Sequence, residues 1–444
     1  MGDPDIVDQV ALDEVVSFTS DLIRIDTTNR GSGDCRERPA AEYVAERLAA
    51  TGLDVHLLER TEGRTNVVAR IPGTDPSADA LLVHGHLDVV PAEPADWSVH
   101  PFSGEVRDGV VWGRGAVDMK NMDAMVLSVV RAWARAGVRP RRDIVIAYTA
   151  DEEASAIDGA DFLVEQHAGL FEGCTEGISE SGAYTFHAGP GKQIYPIAAG
   201  ERGTAWLKLT GHGTAGHGSK VNGQNAVSRV AAAVARIGEH EWPVRLTPTV
   251  RACLRELAAL HDLDVPDPDD PAYDVDAVLN KLGPAAALAE ATVRNSTNPT
   301  MLDAGYKVNV IPGSATAYID GRFLPGGEDE FRTTLDALTG EHVDWEFHHR
   351  SVAIEAPVDS ATYRQLRAAV RKFAPEGQVV PFCMSGGTDA KQFSRLGITG
   401  YGFSPLRLPE GFDYGALFHG VDERVPVEAL HFGVRVLDHY LRHA

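Results

Sequence analysis

Ala80-Leu81-Leu82-Val83-His84-Gly85-His86-Leu87-Asp88 begins as an apolar run and ends on imidazoles and a carboxylate. A short apolar run of this kind is the pattern of a strand buried on both faces. The same pattern recurs in Asp143-Ile144-Val145-Ile146-Ala147-Tyr148-Thr149, which empties into Asp151-Glu152-Glu153. Between the two, apolar residues at 122, 125, 126, 129, 130 and 133 repeat with helical spacing, and Gly137 and Pro140 close the helix. Strand, helix, strand predicts an α/β fold with a mainly parallel sheet covered by helices. In such sheets ligands bind beyond the carboxyl ends of the strands, where His86, Asp88 and Asp151-Glu152-Glu153 all fall.

Outward from this unit, residues 12–50 carry a helical pattern stopped at Gly52, and Thr65–Ile71 alternates like a strand before Pro72-Gly73. From about 200 to 350 the character changes. It opens with the strand pattern Thr204–Leu209 and a long Ala/Val-rich helix over Asn225–Ile237. Residues 245–300 include Asp264-Val265-Pro266-Asp267-Pro268-Asp269-Asp270-Pro271, an expected exposed loop. The region reads as an inserted domain. From about 351 helix and strand patterns return, ending in a helical run over Pro426–Arg442.

The chain has 444 residues, 43% of them apolar and 24% charged, which excludes a single small module and wholesale disorder. A formal net charge of −23 repels phosphate backbones and anionic lipid, so nucleic acid and membrane are not expected partners. The start, Met1 to Asp8, is acidic where a signal peptide is basic, and no run approaches the roughly 20 apolar residues of a membrane helix. Cys35, Cys174, Cys253 and Cys383 are scattered, which points to reduced, buried thiols and a cytoplasmic protein.

Several polar groups carry potential chemistry. In His86-x-Asp88 alternate residues of an extended chain share one face, so the carboxylate can orient the imidazole for metal binding. His84, inside the buried run, reads as a packing residue. Asp118 lies just before a helix, where an N-cap is the simpler role taken alone. Asp151-Glu152-Glu153 repel one another unless a cation or solvent relieves them. One of them could bind metal while a neighbour acts as general base. Glu180 follows another short apolar stretch, and His419 lies in a polar loop near the C-terminus. His86, Asp118, Glu153, Glu180 and His419 make an N/O ligand set suited to zinc or a similar divalent ion. Gly211-His212-Gly213-Thr214-Ala215-Gly216 is a literal GxGxxG, but Glu239, its candidate ribose acid, falls at a helix end, which rejects a nucleotide fold.

In this order, His86-x-Asp88, Ala116-Val117-Asp118-Met119-Lys120, Asp151-Glu152-Glu153, Glu180 and His419 resemble the M20 family of metallohydrolases. That family includes aminoacylases, acetylornithine deacetylase, succinyl-diaminopimelate desuccinylase, carboxypeptidases and dipeptidases. The likeness spans nearly the whole chain. It implies a zinc-dependent catalytic domain over 1–199 and 351–444, interrupted at 200–350 by an α+β lid or dimerisation domain. It implies that Asp118 bridges two zinc ions, with cobalt or manganese as possible substitutes. His86 and Glu180 then complete one site, Glu153 and His419 the other. Glu152 becomes the general base, Asp88 the partner of His86, and Asp118-Met119 a candidate cis peptide. By the same resemblance His217 helps stabilise the oxyanion in a partner subunit's active site, which requires a homodimer. Asn309-Val310-Ile311-Pro312-Gly313 and Asp320–Gly326 resemble segments that bind the substrate carboxylate, with Arg322 as a bidentate fork. Met384–Ala390, containing Gly387 and Thr388, resembles a glycine-rich loop whose N–H groups hold a carboxylate.

The expected activity is hydrolysis of an amide bond beside a free carboxylate, in an N-acyl amino acid or a short peptide. A carboxypeptidase or dipeptidase is the alternative to a deacylase. A non-catalytic metal-dependent binding protein on the same fold is the alternative from another class.

Overall fold

Residues 6–31 and 35–444 are described by this computed structural model, so Met1–Asp5, part of the acidic start considered above, lies outside them. The chain divides into two compact units, one of residues 1–199, 356–381 and 388–444, the other of 200–355 and 382–387.

The first unit is mixed α/β. Its sheet runs in the order Val55–Glu59, Thr65–Ile71, Ile144–Thr149, Ala80–His86, Cys174–Ser179, Thr399–Gly402 and Gln193–Glu201. The four strands from Ile144–Thr149 to Thr399–Gly402 are parallel to one another, and the flanking strands pair antiparallel. Side chains alternate between two cores. Leu81, Val83, Ile144 and Ile146 pack with the helices Gln9–Arg24, Lys120–Ala136 and Val427–His443, while Leu82, Val145 and Ala147 pack with Ala160–Gln166 and Phe393. Cover on both faces is why these strands read as unbroken apolar runs. Gly137 ends its helix in the left-handed conformation.

The single helical stretch expected over 12–50 is two helices, Gln9–Arg24 and Arg38–Ala49. Asp26 accepts from the N–H and hydroxyl of Thr28, and buried Thr27 donates to the Leu87 carbonyl. Polar Asp26-Thr27-Thr28-Asn29 thus pairs with the chain after His86 instead of continuing the helix, and Pro39 opens the second helix.

In the second unit Ser296–Ala304, Ser314–Phe323, Gly203–His212 and Val343–Arg350 form an antiparallel sheet in that order. One face packs Leu207, Leu209, Ala317 and Ile319 against Val230, Ile237, Phe331 and Leu335 of two helices, Ala226–Gly238 and Glu328–Thr339. Asn225 caps the first by accepting from the N–H groups of Val227 and Ser228. Two helices, Pro248–Leu260 and Val275–Leu282, flank the acidic loop, where Arg255 clamps Asp267 and Asp269. The GxGxxG stretch leads to a two-residue strand, Gly216–His217, paired with Val310–Ile311, and not into a helix. All four cysteines are buried and unbridged. Among the described residues no helix is long and apolar enough to cross a membrane.

Candidate metal centre

Three adjacent parallel strands, Ile144–Thr149, Ala80–His86 and Cys174–Ser179, end side by side, which places Glu152 and Glu153, His86, and Glu180 at one edge of the sheet. Asp118 arrives on the turn before Lys120–Ala136, across a cis Asp118-Met119 peptide, and His419 follows the short turn Gly415–Leu417. Close approach seats Glu180. A Cβ on Gly402 would meet the Glu180 and Ser181 carbonyls at 2.7 and 2.6 Å, so the neighbouring strand lies against this turn only with glycine there.

The five ligand candidates form two triads. His86, Asp118 and Glu180 offer donor atoms within 4.8 Å of one another, and so do Asp118, Glu153 and His419. Asp118 belongs to both. Its Oδ1 lies 3.1 Å from His86 Nε2, and its Oδ2 lies 3.4 Å from His419 Nε2, which is 3.1 Å from Glu153 Oε2. Glu153 Oε1 is buried with no hydrogen-bond partner among the described residues. A divalent cation shared through Asp118 would satisfy such an atom, and the nitrogen and oxygen donors fit one. Asp118 does not cap the helix, whose N-terminus has no side-chain cap.

Charge in the cluster is unbalanced. Burial, then neighbouring carboxylates, push Glu152, Glu153 and Glu180 above the usual carboxylate range. Burial works against a charged His86, but Asp118, Asp88, Glu180 and Glu152 outweigh it and hold the ring well above the usual histidine value. Asp118 and Glu153 hold His419 at about 10. Excess negative charge thus draws protons onto both rings, a role a cation can take instead. Glu152 accepts no hydrogen bond from any described residue, and its Oε2 lies 4.0 Å from His86 Nε2. Burial and the adjacent His86 lower His84 to about 3, and its ring packs on Phe393 at 4.9 Å, as a neutral core residue does.

Asp88 is fully buried and accepts from the N–H groups of Glu152 and Glu153 at 3.2 and 3.1 Å. His86 Nδ1 lies 3.0 Å from the Asp88 carbonyl and 3.5 Å from its carboxylate, which leaves Nε2 facing the cluster. Three residues absent from the sequence reading complete this support. Asn29 donates to Asp88 and Asp151, and Arg64 donates to Asp151 at 3.0 Å while forking onto Glu37 at 2.8 Å. The expected cation beside Asp151 is therefore a guanidinium.

Residues expected to meet substrate lie partly in the second unit. His217 pairs with Val310 in its two-stranded ladder, Asn309 precedes the second strand, and the Gly218 N–H donates to the Asn309 carbonyl at 2.9 Å. The His217 ring is exposed, with Nδ1 2.8 Å from Ser219 Oγ. The Nε–Nη2 fork of Arg322 is occupied within its own unit. Arg322 grips Asp320 at 2.7 and 3.1 Å and Thr204 at 3.1 Å. Gly387 closes the 382–387 segment of that unit, and Thr388, in the first unit, accepts from the Ala390 N–H at 3.1 Å.

Two histidines and three carboxylates, brought from strand ends, a turn and a loop into overlapping triads, form a donor set of the kind that serves metal-dependent hydrolysis. Residues 82–443 match the family model described as Peptidase family M20/M25/M40. The chain is 30% identical over 393 residues to the human N-fatty-acyl-amino acid synthase/hydrolase PM20D1, covering 84% of this chain and 76% of that one. It is 26% identical over 397 residues to aminoacylase-1 of Sus scrofa, covering 87% and 85%. In fold it is similar to the M20 family metallo-carboxypeptidase Sso-CP2 of Sulfolobus solfataricus, with TM-score 0.71, 18% identity and 97% and 98% of the two chains covered. It also resembles the Bacillus subtilis protein YXEP, a dinuclear metal binding peptidase, with TM-score 0.61, 12% identity and 98% of each chain covered. The chain belongs to peptidase family M20/M25/M40, and it is an amide-bond hydrolase of this metal-dependent family.

Proposed function

We propose that the chain is a di-zinc hydrolase cleaving the amide bond beside a free carboxylate in N-acyl amino acids or short peptides. The observation that carries this reading is the sharing of Asp118 between two triads, with the unbonded Glu152 carboxylate beside them. His86, Asp118 and Glu180 would hold one ion, and Asp118, Glu153 and His419 the other. When bound, the ions supply Lewis acidity, polarising a carbonyl and acidifying water. Glu152 takes the proton of the attacking water and returns it to the leaving amine, a shuttle suited to a carboxylate whose affinity for protons is raised by burial. Asp88 holds the backbone N–H groups of Glu152 and Glu153 and orients His86. His217 from a second subunit would stabilise the oxyanion, and Asn309, Gly387 and Thr388 would position the substrate.

Support for a homodimer through the second unit comes from the edge strand Ser296–Ala304, which exposes Met301 and Leu302. The four buried thiols suit a reducing compartment such as the cytoplasm. Likeness to PM20D1 and aminoacylase-1 favours N-acyl amino acids as first substrates. The test is a panel of N-acetyl, N-succinyl and long-chain N-acyl amino acids beside dipeptides, each with zinc and with a chelator. Chelator-sensitive cleavage of N-acyl amino acids is expected. Cleavage of dipeptides alone would replace the deacylase reading by a peptidase, and chelator-resistant turnover would end the metal reading.

Arg322 holds Asp320 through Nε and Nη2, so a substrate carboxylate would compete with Asp320 for that fork or meet the remaining Nη donors. Arg322→Ala is therefore expected to raise KM for substrates with a free carboxylate by about 10- to 100-fold, the worth of a charged hydrogen bond. Their amide derivatives should change little. Equal effects on both would remove Arg322 from recognition.

A further inference from the structure

Glu423 lies four residues after His419 and is completely buried. Its Oε1 accepts from the N–H groups of Val117 at 2.7 Å and Asp118 at 3.1 Å. Its Oε2 accepts from the Gly115 N–H at 3.0 Å and Arg114 Nη1 at 2.8 Å. Arg114 Nη2 in turn reaches the carbonyls of His419 and Pro91 at 3.5 and 3.4 Å. The Gly113 N–H donates to the Glu423 carbonyl, and Val110–Trp112 pairs with Arg424–Pro426. One carboxylate with both oxygens doubly engaged thus joins the loop bearing the shared ligand candidate to the loop bearing His419.

These loops differ in what else holds them. His86 and Glu180 sit at or next to the ends of central strands, fixed by ladders on both sides. His419 is on a loop, in a left-handed conformation and with its side chain 58% exposed. Its loop is also tied at Asp422, which accepts from the N–H and hydroxyl of Ser98 at 2.7 and 2.6 Å, but its direct ties to the Asp118 loop run through Glu423 and Arg114.

We propose that Glu423 is a positioning residue that sets the spacing between Asp118 and His419, and so governs whether the Asp118–Glu153–His419 triad holds its ion. This rests on the two-ion reading above. Glu423→Gln is nearly isosteric, yet whichever way the amide turns, its NH2 faces two donors where an oxygen accepted from them.

The test is calorimetric titration of the metal-free protein with zinc, with metal content measured on the loaded protein and the electronic and EPR spectra of the cobalt form. Wild type is expected to bind two equivalents and to give the spectrum of a coupled cobalt pair. Glu423→Gln is expected to keep one equivalent within about 3-fold of wild type, to bind the other about 10- to 100-fold more weakly, and to lose the coupling. Two equivalents of wild-type affinity in Glu423→Gln would overturn the proposal. So would equal weakening of both, which describes general loosening. A single equivalent in wild type would instead overturn the two-ion reading itself. Should Glu423→Gln lack the near-UV circular dichroism of the folded chain, Arg114→Gln is titrated in the same way. Selective weakening of one ion supports the proposal there, and any other result overturns it.

Discussion

Glu152→Gln is expected to lower kcat by about 10²- to 10⁴-fold, the range that a positioned general base contributes. Zinc content should remain at the wild-type level. The separation of the two effects follows from geometry. Glu152 belongs to neither triad, and no described side chain donates to its carboxylate. Glutamine keeps the shape and removes the basic oxygen, so binding of metal and substrate should survive while proton transfer fails. The measurement is steady-state kinetics beside metal analysis of the same preparation. Activity within about 10-fold of wild type would remove Glu152 from proton transfer. Parallel loss of metal and activity would make it a structural neighbour of the ligands. The same variant tests the subunit arrangement. If His217 serves a partner's site, mixing inactive Glu152→Gln and His217→Ala dimers should restore about a quarter of wild-type activity after random exchange, since half the sites in each mixed dimer are intact. No recovery after confirmed exchange would end that role for His217.

The parts of this site that can be read from sequence share one property, which is that their signal is local. His86 ends, and Glu152 and Glu153 follow, apolar runs that the fold makes buried central strands, while Glu180 follows a central strand with a shorter buried end, residues 177–179, so polarity at a strand exit is legible in the order of residues alone. Asn29, Glu37 and Arg64 carry no such mark. Asn29 follows the first helix, Glu37 precedes the second and Arg64 lies in the turn between the first two strands. Asn29 and Arg64 reach Asp151, Asn29 also reaches Asp88, Arg64 brings in Glu37, and nothing nearby in sequence records that meeting. Glu423 stands in plain view beside His419, but its partners lie about 305 residues away, where the Asp118 loop turns back. The pairing of Arg322 with Asp320 does have a local signal. Residues i and i+2 of a strand share a face, and opposite charges there hold each other. The break after Arg24 is likewise written in Asp26-Thr27-Thr28-Asn29, a run that favours turns over helix. The return of 382–387 to the second unit has no compositional change to announce it.

Asp118→Asn is expected to remove tight binding at both sites together, and this separates a shared ligand from two independent ones. Losing an outer partner of a ligand costs about 10- to 100-fold in metal affinity, so losing the charge of the ligand common to both triads should cost at least about 100-fold at each. His86→Ala and His419→Ala, by contrast, should each weaken one site, since each ring touches one triad. Thermal stability reads the same difference. A ligand bound to the folded chain at 100 times its Kd adds about 2.7 kcal/mol, or about 5 °C for a unit of the first unit's size. Wild type should show that rise on adding zinc, and Asp118→Asn should show almost none. The metal-free melting temperatures decide a further point. Asp118 accepts hydrogen bonds from both histidine rings, yet it also adds to the charge that pushes Glu153 and Glu180 up. If repulsion dominates without metal, metal-free Asp118→Asn should melt at or above metal-free wild type. The cluster would then be a centre that holds the fold below its best stability until its ions arrive. A variant that melts lower and still binds two equivalents of zinc would show that Asp118 serves the fold and bridges nothing.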